Sequence, residues 1–244
     1  MVIPKIYYGS YIDTKVRVGM QKETLKDQFV NTITRGVISG KYPIGKRLPP
    51  ERALAAEMGI SRTVVRSGLA ELAANGVVRQ AGRQGCIVVD YRTDGRLPIV
   101  NAILTSGGEM SQQVLEGYLG ARILIESETA RLAALNRTNE DLFELFKIIR
   151  EGYEISPKDL KEAARQEFRF HKQVAAASGN VFYPVFINSM EDTAMKLLQE
   201  YYCPDMPKNV RLQLQEKLYE AIMAKDPPEA VRIMRCMFDH RKPL

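Results

Sequence analysis

Residues 45–89, GKRLPPERALAAEMGISRTVVRSGLAELAANGVVRQAGRQGCIVV, decide the fold. Pro50 sits where the first turn of a helix accepts proline, and PERALAAEM makes a short helix that stops at Gly59. Ser61 caps the next helix, SRTVVRSGLAELAANG, whose inner stripe is Val65, Leu69 and Leu72 and whose end is marked by Asn75-Gly76. VVRQ, the turn AGRQG and CIVVD then read as a two-stranded hairpin. Upstream, Thr24 with Asp27 forms a capping box for a helix striped by Leu25, Phe29, Ile33 and Val37, with Gly40 as its stop. KYPIGKRLPP connects that helix to Pro50 as a proline- and glycine-rich loop. Helix, helix, tight turn, helix and hairpin, in that order, are the parts of a winged helix-turn-helix.

The residue types on this scaffold suit a polyanion. The chain has 244 residues and a formal net charge of +6. Nine Lys/Arg face four Asp/Glu between Lys41 and Arg92, so the positive charge is concentrated in the N-terminal third. The second helix of the pair would enter a major groove by its N-terminal turns, which carry Arg62, Thr63 and Arg66. Arginine can bridge guanine O6 and N7 with two hydrogen bonds, and threonine can touch a thymine methyl or a phosphate. Ser61 and the free N–H groups of that helix end suit a phosphate. Arg52, on the preceding helix, is in reach of a base or the backbone. The wing turn pairs Gly82 with Arg83, a small tip with one cation that can approach a minor groove. The bland alternative is that these arginines only solubilise a small helical domain.

Past Asp90 the pattern changes. Residues 1–22 read as an N-terminal arm, 23–90 as the winged helix-turn-helix domain, 91–112 as a linker and 113–244 as an all-helical domain for effector binding and dimerisation. LPIVNAIL, at 97–104, reads as a short docking helix in the linker. From Ser111 the period is helical throughout, with helices expected near 111–136, 138–152, 157–178, 180–202, 208–225 and 227–240. The fold class is therefore mainly α: a winged helix-turn-helix with a small β-hairpin wing, plus an antiparallel helical bundle. No run of about 18 apolar residues predicts a membrane span. Three cysteines without CxxC spacing argue against a disulfide framework or zinc knuckle, and a cytoplasmic location follows as the expectation.

Residues 45–89 resemble the GntR-type winged helix, through the LP-x-ER, G-I-SR and L-x-x-L-x-x-x-G elements and the glycine wing. The resemblance implies that Arg52, Arg62, Arg66 and Gly82 contact an operator, with Arg83 beside the wing glycine. One departure is Ser67-Gly68, where that family commonly has Glu-Ala; glycine there should cost roughly 1 kcal/mol of helix propensity while leaving the DNA face intact.

The C-terminal part resembles the FadR subfamily of these regulators, through ARILIESETARLAALNRT, EFRFHKQVAAASGN and the closing Ala221-Ile222, Asp226, Ala230 and Met234. Many of its members hold a divalent metal with one Asp and three His. Those positions fall here on Glu167, His171, Gln215 and Met237, and the only other histidine is His240. One carboxylate, one imidazole, an amide and a thioether make a poor site for a hard metal, so no cofactor is expected unless His240 moves in by a turn. Effector candidates are then Arg122, Glu167, His171, Asn188 and Gln215. Arg122 can meet an acidic effector or pair with Glu126 four residues on; Glu167 and His171 can contact the effector or form a coupled core pair. SGN-x-x-Y and the run holding Asn188 and Met190 look closest to the metal-free branch, which implies an acyl-CoA or another organic-acid derivative. The resemblance further implies a homodimeric repressor on a pseudo-palindromic double-stranded operator, its affinity modulated by a small-molecule effector. The alternatives are a metal-dependent carboxylate sensor of the same family and an architectural DNA-binding protein without effector. An enzyme using Glu167 and His171 as acid and base lacks a nucleophile motif, a phosphate loop and a full metal set.

Overall fold

The computed structural model describes residues 24–82, 85–96, 99 and 112–238. The arm, Arg83, most of LPIVNAIL and His240 lie outside the described residues. The chain divides into two compact units, Met1–Leu115 and Glu116–Leu244.

The first unit is the winged helix-turn-helix. Helix α1 (Leu25–Ile38) starts at the Thr24–Asp27 capping box. Helix α2 (Glu51–Met58) ends at Gly59, whose φ of 65° is the left-handed turn that favours glycine. Helix α3 (Arg62–Ala74) is capped by the Ser61 side chain, which accepts from Val64 N at 3.3 Å. Strands β1 (Val78–Gln80) and β2 (Cys86–Val88) pair antiparallel, with Val78 opposite Val88 and Gln80 opposite Cys86. Phe29, Ile33, Leu54, Val65 and Leu72 are fully buried and tie the three helices together.

Three readings change in this unit. Leu25 is exposed, because the first residue of α1 projects past the end of the core. The KRLPP loop is not free: Leu48 N donates to Cys86 O, and Val88 N donates to Lys46 O, so this segment lies along β2 as a partial third strand. Gly68 is not a mere weakness in α3. A Cβ there would stand 2.3 Å from Cδ1 of the buried Phe29 ring, so the missing side chain is what lets α1 approach α3. After β2, helix α4 (Tyr91–Asp94), capped by Asp90, folds back onto the unit: Arg96 N donates to Asn75 O, and Ile99 is buried in the same core.

The second unit is all helical. It comprises α5 (Gln112–Asn136, from Glu116 on), α6 (Asn139–Glu154), α7 (Leu160–Ala177), α8 (Phe182–Asn188), α9 (Glu191–Leu197), the short α10 (Cys203–Asp205), α11 (Lys208–Met223) and α12 (Pro227–Phe238). Leu145, Phe170, Leu218, Ile222, Ile233 and Met234 form its main core. Met237, at one of the expected metal positions, belongs to that core. The single helix expected over 180–202 is broken. Asn180 makes an Asx turn just ahead of α8, its side chain accepting from Phe182 N. Ser189 turns its hydroxyl back onto Phe186 O, and α8 ends there. Leu198–Tyr202 is a π-helical turn just before Pro204, which has no N–H to continue an α-helical ladder.

Candidate functional site

Two places gather polar side chains that the folds do not need for packing. The first is the exposed face of the α2–α3 corner. Arg62, Thr63 and Arg66 stand exposed on the first turns of α3, and Arg52 is exposed on α2. Arg62 and Arg66 leave 64% and 70% of their side chains open. Both turn toward one carboxylate that sequence reasoning passed over: Glu51 Oε2 accepts from Arg66 Nη2 at 3.2 Å and lies 3.8 Å from Arg62 Nη2. Glu51 thus holds two cations side by side at the end of a helix whose N–H dipoles also point outward. The spacing P-E-R at the start of α2 could have suggested it. In the wing, Gly82 and Gly85 have φ of 55° and 79°, and a Cβ on either would meet nothing within 4 Å. Ala81 N donates to Gly85 O, which closes a narrow tip.

The second place is buried in the bundle and built from three pairs at i,i+4 spacing on three helices. Arg122 and Glu126 come from α5, Glu167 and His171 from α7, Arg211 and Gln215 from α11. All six are nearly or wholly inaccessible. Arg122 Nε donates to Glu126 Oε1 at 2.5 Å, and its guanidinium lies over the rings of Tyr118 and Phe238. The other Glu126 oxygen, Oε2, pairs with His171 Nδ1. His171 Nε2 faces Glu167 Oε1 at 3.3 Å. Gln215 Nε2 donates to Glu167 Oε2 at 2.7 Å, and Gln166 Nε2 links Gln215 Oε1 to the Ile148 carbonyl. Burial opposes charge on His171, but Glu126, and then Glu167, outweigh it and hold its pKa up to about 9. Burial likewise opposes ionisation of Glu126, but Arg122 and His171 draw its pKa down to about 2. The result is an imidazolium clamped between two carboxylates.

The sequence-derived effector set is therefore divided by the structure. Arg122, Glu167, His171 and Gln215 share one network. Asn188 does not join it: Ile187 and Met190 take the inner positions of that turn, and Asn188 is exposed. Arg211 was missed and belongs to it. Its guanidinium Nη1 lies 3.6 Å from Glu167 Oε2, and neither Nε nor Nη1 has a hydrogen-bond partner. The available signal was its place in the inner stripe of α11, in line with Leu214, Gln215, Leu218 and Ile222.

The metal that the family resemblance implies does not fit these residues. An imidazole ligates a metal through a ring-nitrogen lone pair, yet both nitrogens of His171 face carboxylate oxygens, Nδ1 that of Glu126 and Nε2 that of Glu167. Glu167 is already engaged by Gln215 and lies beside the Arg211 cation, which would repel a divalent ion. Among the described residues no group of three or more His, Cys, Asp or Glu is arranged to hold a metal ion.

A winged helix-turn-helix with an arginine-bearing recognition helix, followed by a helical bundle with a charged centre, defines a DNA-binding regulator with a separate sensory unit. The comparisons agree. Residues 25–88 match the model of the bacterial regulatory proteins of the gntR family, and residues 118–240 match the FCD domain. The Glc operon transcriptional activator of Escherichia coli strain K12 is 26% identical over 225 residues, spanning 88% of this chain and 86% of that one. The fatty acid metabolism regulator protein of Shewanella denitrificans is 24% identical over 204 residues, 83% of each chain. The solved structure of Lar, which controls expression of the Listeria monocytogenes agr system, superposes with a TM-score of 0.57 at 18% identity, over 90% of this chain and 95% of that one. The chain belongs to the gntR family of bacterial regulatory proteins and carries an FCD domain; it is a transcription regulator and not an enzyme. Among the described residues no helix is long and apolar enough to cross a membrane.

Proposed function

We propose that this chain is an effector-responsive repressor of the FadR subfamily, binding a pseudo-palindromic operator as a homodimer. The observation that carries the DNA half is the exposed Arg62–Glu51–Arg66 arrangement at the start of α3, with Arg52 on the helix before it and the Gly82 wing tip beyond. Arg52, Arg62, Arg66 and Thr63 read base edges, Ser61 and the helix end take a phosphate, and Gly82 with Arg83 follows the minor groove. The domain plan keeps the sequence reading of 23–90 as the DNA-gripping part, 91–112 as a linker whose first part (Tyr91–Asp94, Arg96 and Ile99) packs back onto that unit, and 113–244 as the part that senses and dimerises.

Dimerisation is supported by apolar surface. Leu124, Val181, Phe182 and Val185 are each more than 60% exposed, and a groove of about 540 Å³ lies between Leu124 and Ile125, Tyr183, and Val231. The sensory half rests on the buried network of Arg122, Glu167, His171 and Gln215, which joins α5, α7 and α11. A ligand among these charges shifts the helices only if it binds two dimer geometries unequally; binding to the geometry with the wrong half-site separation releases DNA. The effector is an organic acid or its derivative. An acyl-CoA is the version supported by the fatty acid metabolism regulator among the relatives. The positive charge in the cluster favours a free acid, whose carboxylate it can meet.

Selection from a random duplex library by the purified full chain tests the DNA half. It should enrich an inverted repeat with half-sites about one helical turn apart. Enrichment of no sequence would leave only non-specific binding and overturn the proposal.

A further inference from the structure

Arg211 points to the chemistry of the effector. Among the described residues of the bundle, the buried acidic and basic side chains are Arg122, Glu126, Glu167, His171 and Arg211. Tyr118, Tyr202 and Cys203, which face the same cluster, are kept neutral by burial. Arg122 and His171 are matched closely by Glu126 and Glu167; Arg211 is not. Its Nη1 stays beyond hydrogen-bond distance of Glu167, whose Oε2 is taken by Gln215, and its Nε and Nη1 are buried without partners. A buried, unsatisfied guanidinium is costly, and a carboxylate is an anion that can satisfy part of it with charge-assisted hydrogen bonds.

We propose that Arg211 takes, inside this bundle, the part a divalent metal would otherwise play: it receives the carboxylate of a free organic acid directly, and recognition of the effector is independent of metal. This deepens the effector reading above and rests on it. Gln215, four residues along α11, keeps Glu167 from competing for the guanidinium. Arg122, bound to Glu126 and stacked between Tyr118 and Phe238, is then a positioning residue for His171 rather than the anion receptor.

The test uses the full chain and acetate, the smallest suitable carboxylate, with sodium chloride at equal ionic strength as reference. Melting temperature is followed by circular dichroism in three wild-type arms. Acetate should raise the melting temperature saturably above chloride, EDTA should leave that rise unchanged, and zinc or nickel alone should produce none. In Arg211→Gln the apparent acetate affinity should fall tenfold or more. Its melting temperature in chloride should equal or exceed that of the wild type, because the unmatched charge is gone; a merely structural Arg211 would give a loss. Arg211→Lys, which keeps the charge but not the fork, should retain part of the acetate response. Equal effects of acetate and chloride, a response that needs metal, or a rise with octanoyl-CoA but not acetate would each overturn the proposal. Duplex selection does not involve acetate, so failure of the regulator reading shows there and failure of this proposal shows here.

Discussion

Replacing Gly68 by alanine sets two forces against each other at one position. Alanine is the better helix former by about 1 kcal/mol, and Gly68 lies inside α3 with helical φ and ψ, so propensity alone predicts a more stable protein. Packing predicts the reverse. The new methyl carbon would meet Phe29 Cδ1 at 2.3 Å and Cε1 at 2.9 Å. The ring is wholly buried in the core that also holds Ile33, Leu69 and Leu72, so it has no solvent side to retreat to. Overpacking of this kind costs about 1–3 kcal/mol, which exceeds the propensity gain at most of its range. The expected net loss is about 0–2 kcal/mol, centred near 1 kcal/mol. For a unit of this size a loss of about 1 kcal/mol lowers the first calorimetric transition of the full chain by roughly 4–8 °C. Gly117→Ala in α5 is the internal control: a Cβ there meets nothing within 4 Å, so only propensity acts and stability should rise. An unchanged or higher transition in Gly68→Ala would refute the close α1–α3 approach.

Three further outcomes follow from the two sites. Glu51→Gln frees Arg62 and Arg66 and removes a negative charge from the DNA face, so non-specific duplex affinity at low salt should rise severalfold in fluorescence anisotropy; a fall would show that Glu51 instead supports binding. The pH dependence of stability should have two limbs. His171 has its pKa raised, so its contribution is complete below its ordinary 6.5 and is lost as pH rises toward about 9; Glu126 has its pKa lowered, so its contribution is complete above 4.5 and is lost as pH falls toward about 2. Melting temperature should thus peak between those windows, and His171→Gln should flatten the alkaline limb; an unaltered alkaline limb would exclude the imidazolium. Gln215→Ala removes the amide that bonds both Glu167 and Gln166, and should destabilise the chain by about 2–4 kcal/mol in urea unfolding, against near-neutrality if Gln215 were a free ligand group.

Local rules made most of the scaffold legible. Thr24 and Ser61 are caps whose side chains find the expected N–H groups, and Gly59 makes the turn its position demanded. The wing followed from two short runs, VVRQ and CIVVD, on either side of a glycine turn. What stayed hidden depends on contacts distant in sequence. Gly68 looked unfavourable until Phe29, 39 positions earlier, was placed against it. The pairing of Lys46–Leu48 with β2 spans about 40 residues and leaves no period in a proline-rich loop. Arg122 and Glu126 announced themselves as a pair on one helix, whereas Arg211 finds its ionic partner on α7, so only its place in the apolar stripe of α11 marked it. Asn188 was misplaced because the break at Ser189 turns it away from the inner face.

The claim that the α2–α3 face reads DNA is tested most directly by Arg62→Ala on the duplex that the wild-type chain selects. Gel-shift titration should show specific affinity reduced by about 1–3 kcal/mol, with relaxed preference at one position of each half-site and the non-specific background little changed. Unaltered affinity and unaltered sequence preference in that variant would contradict the account.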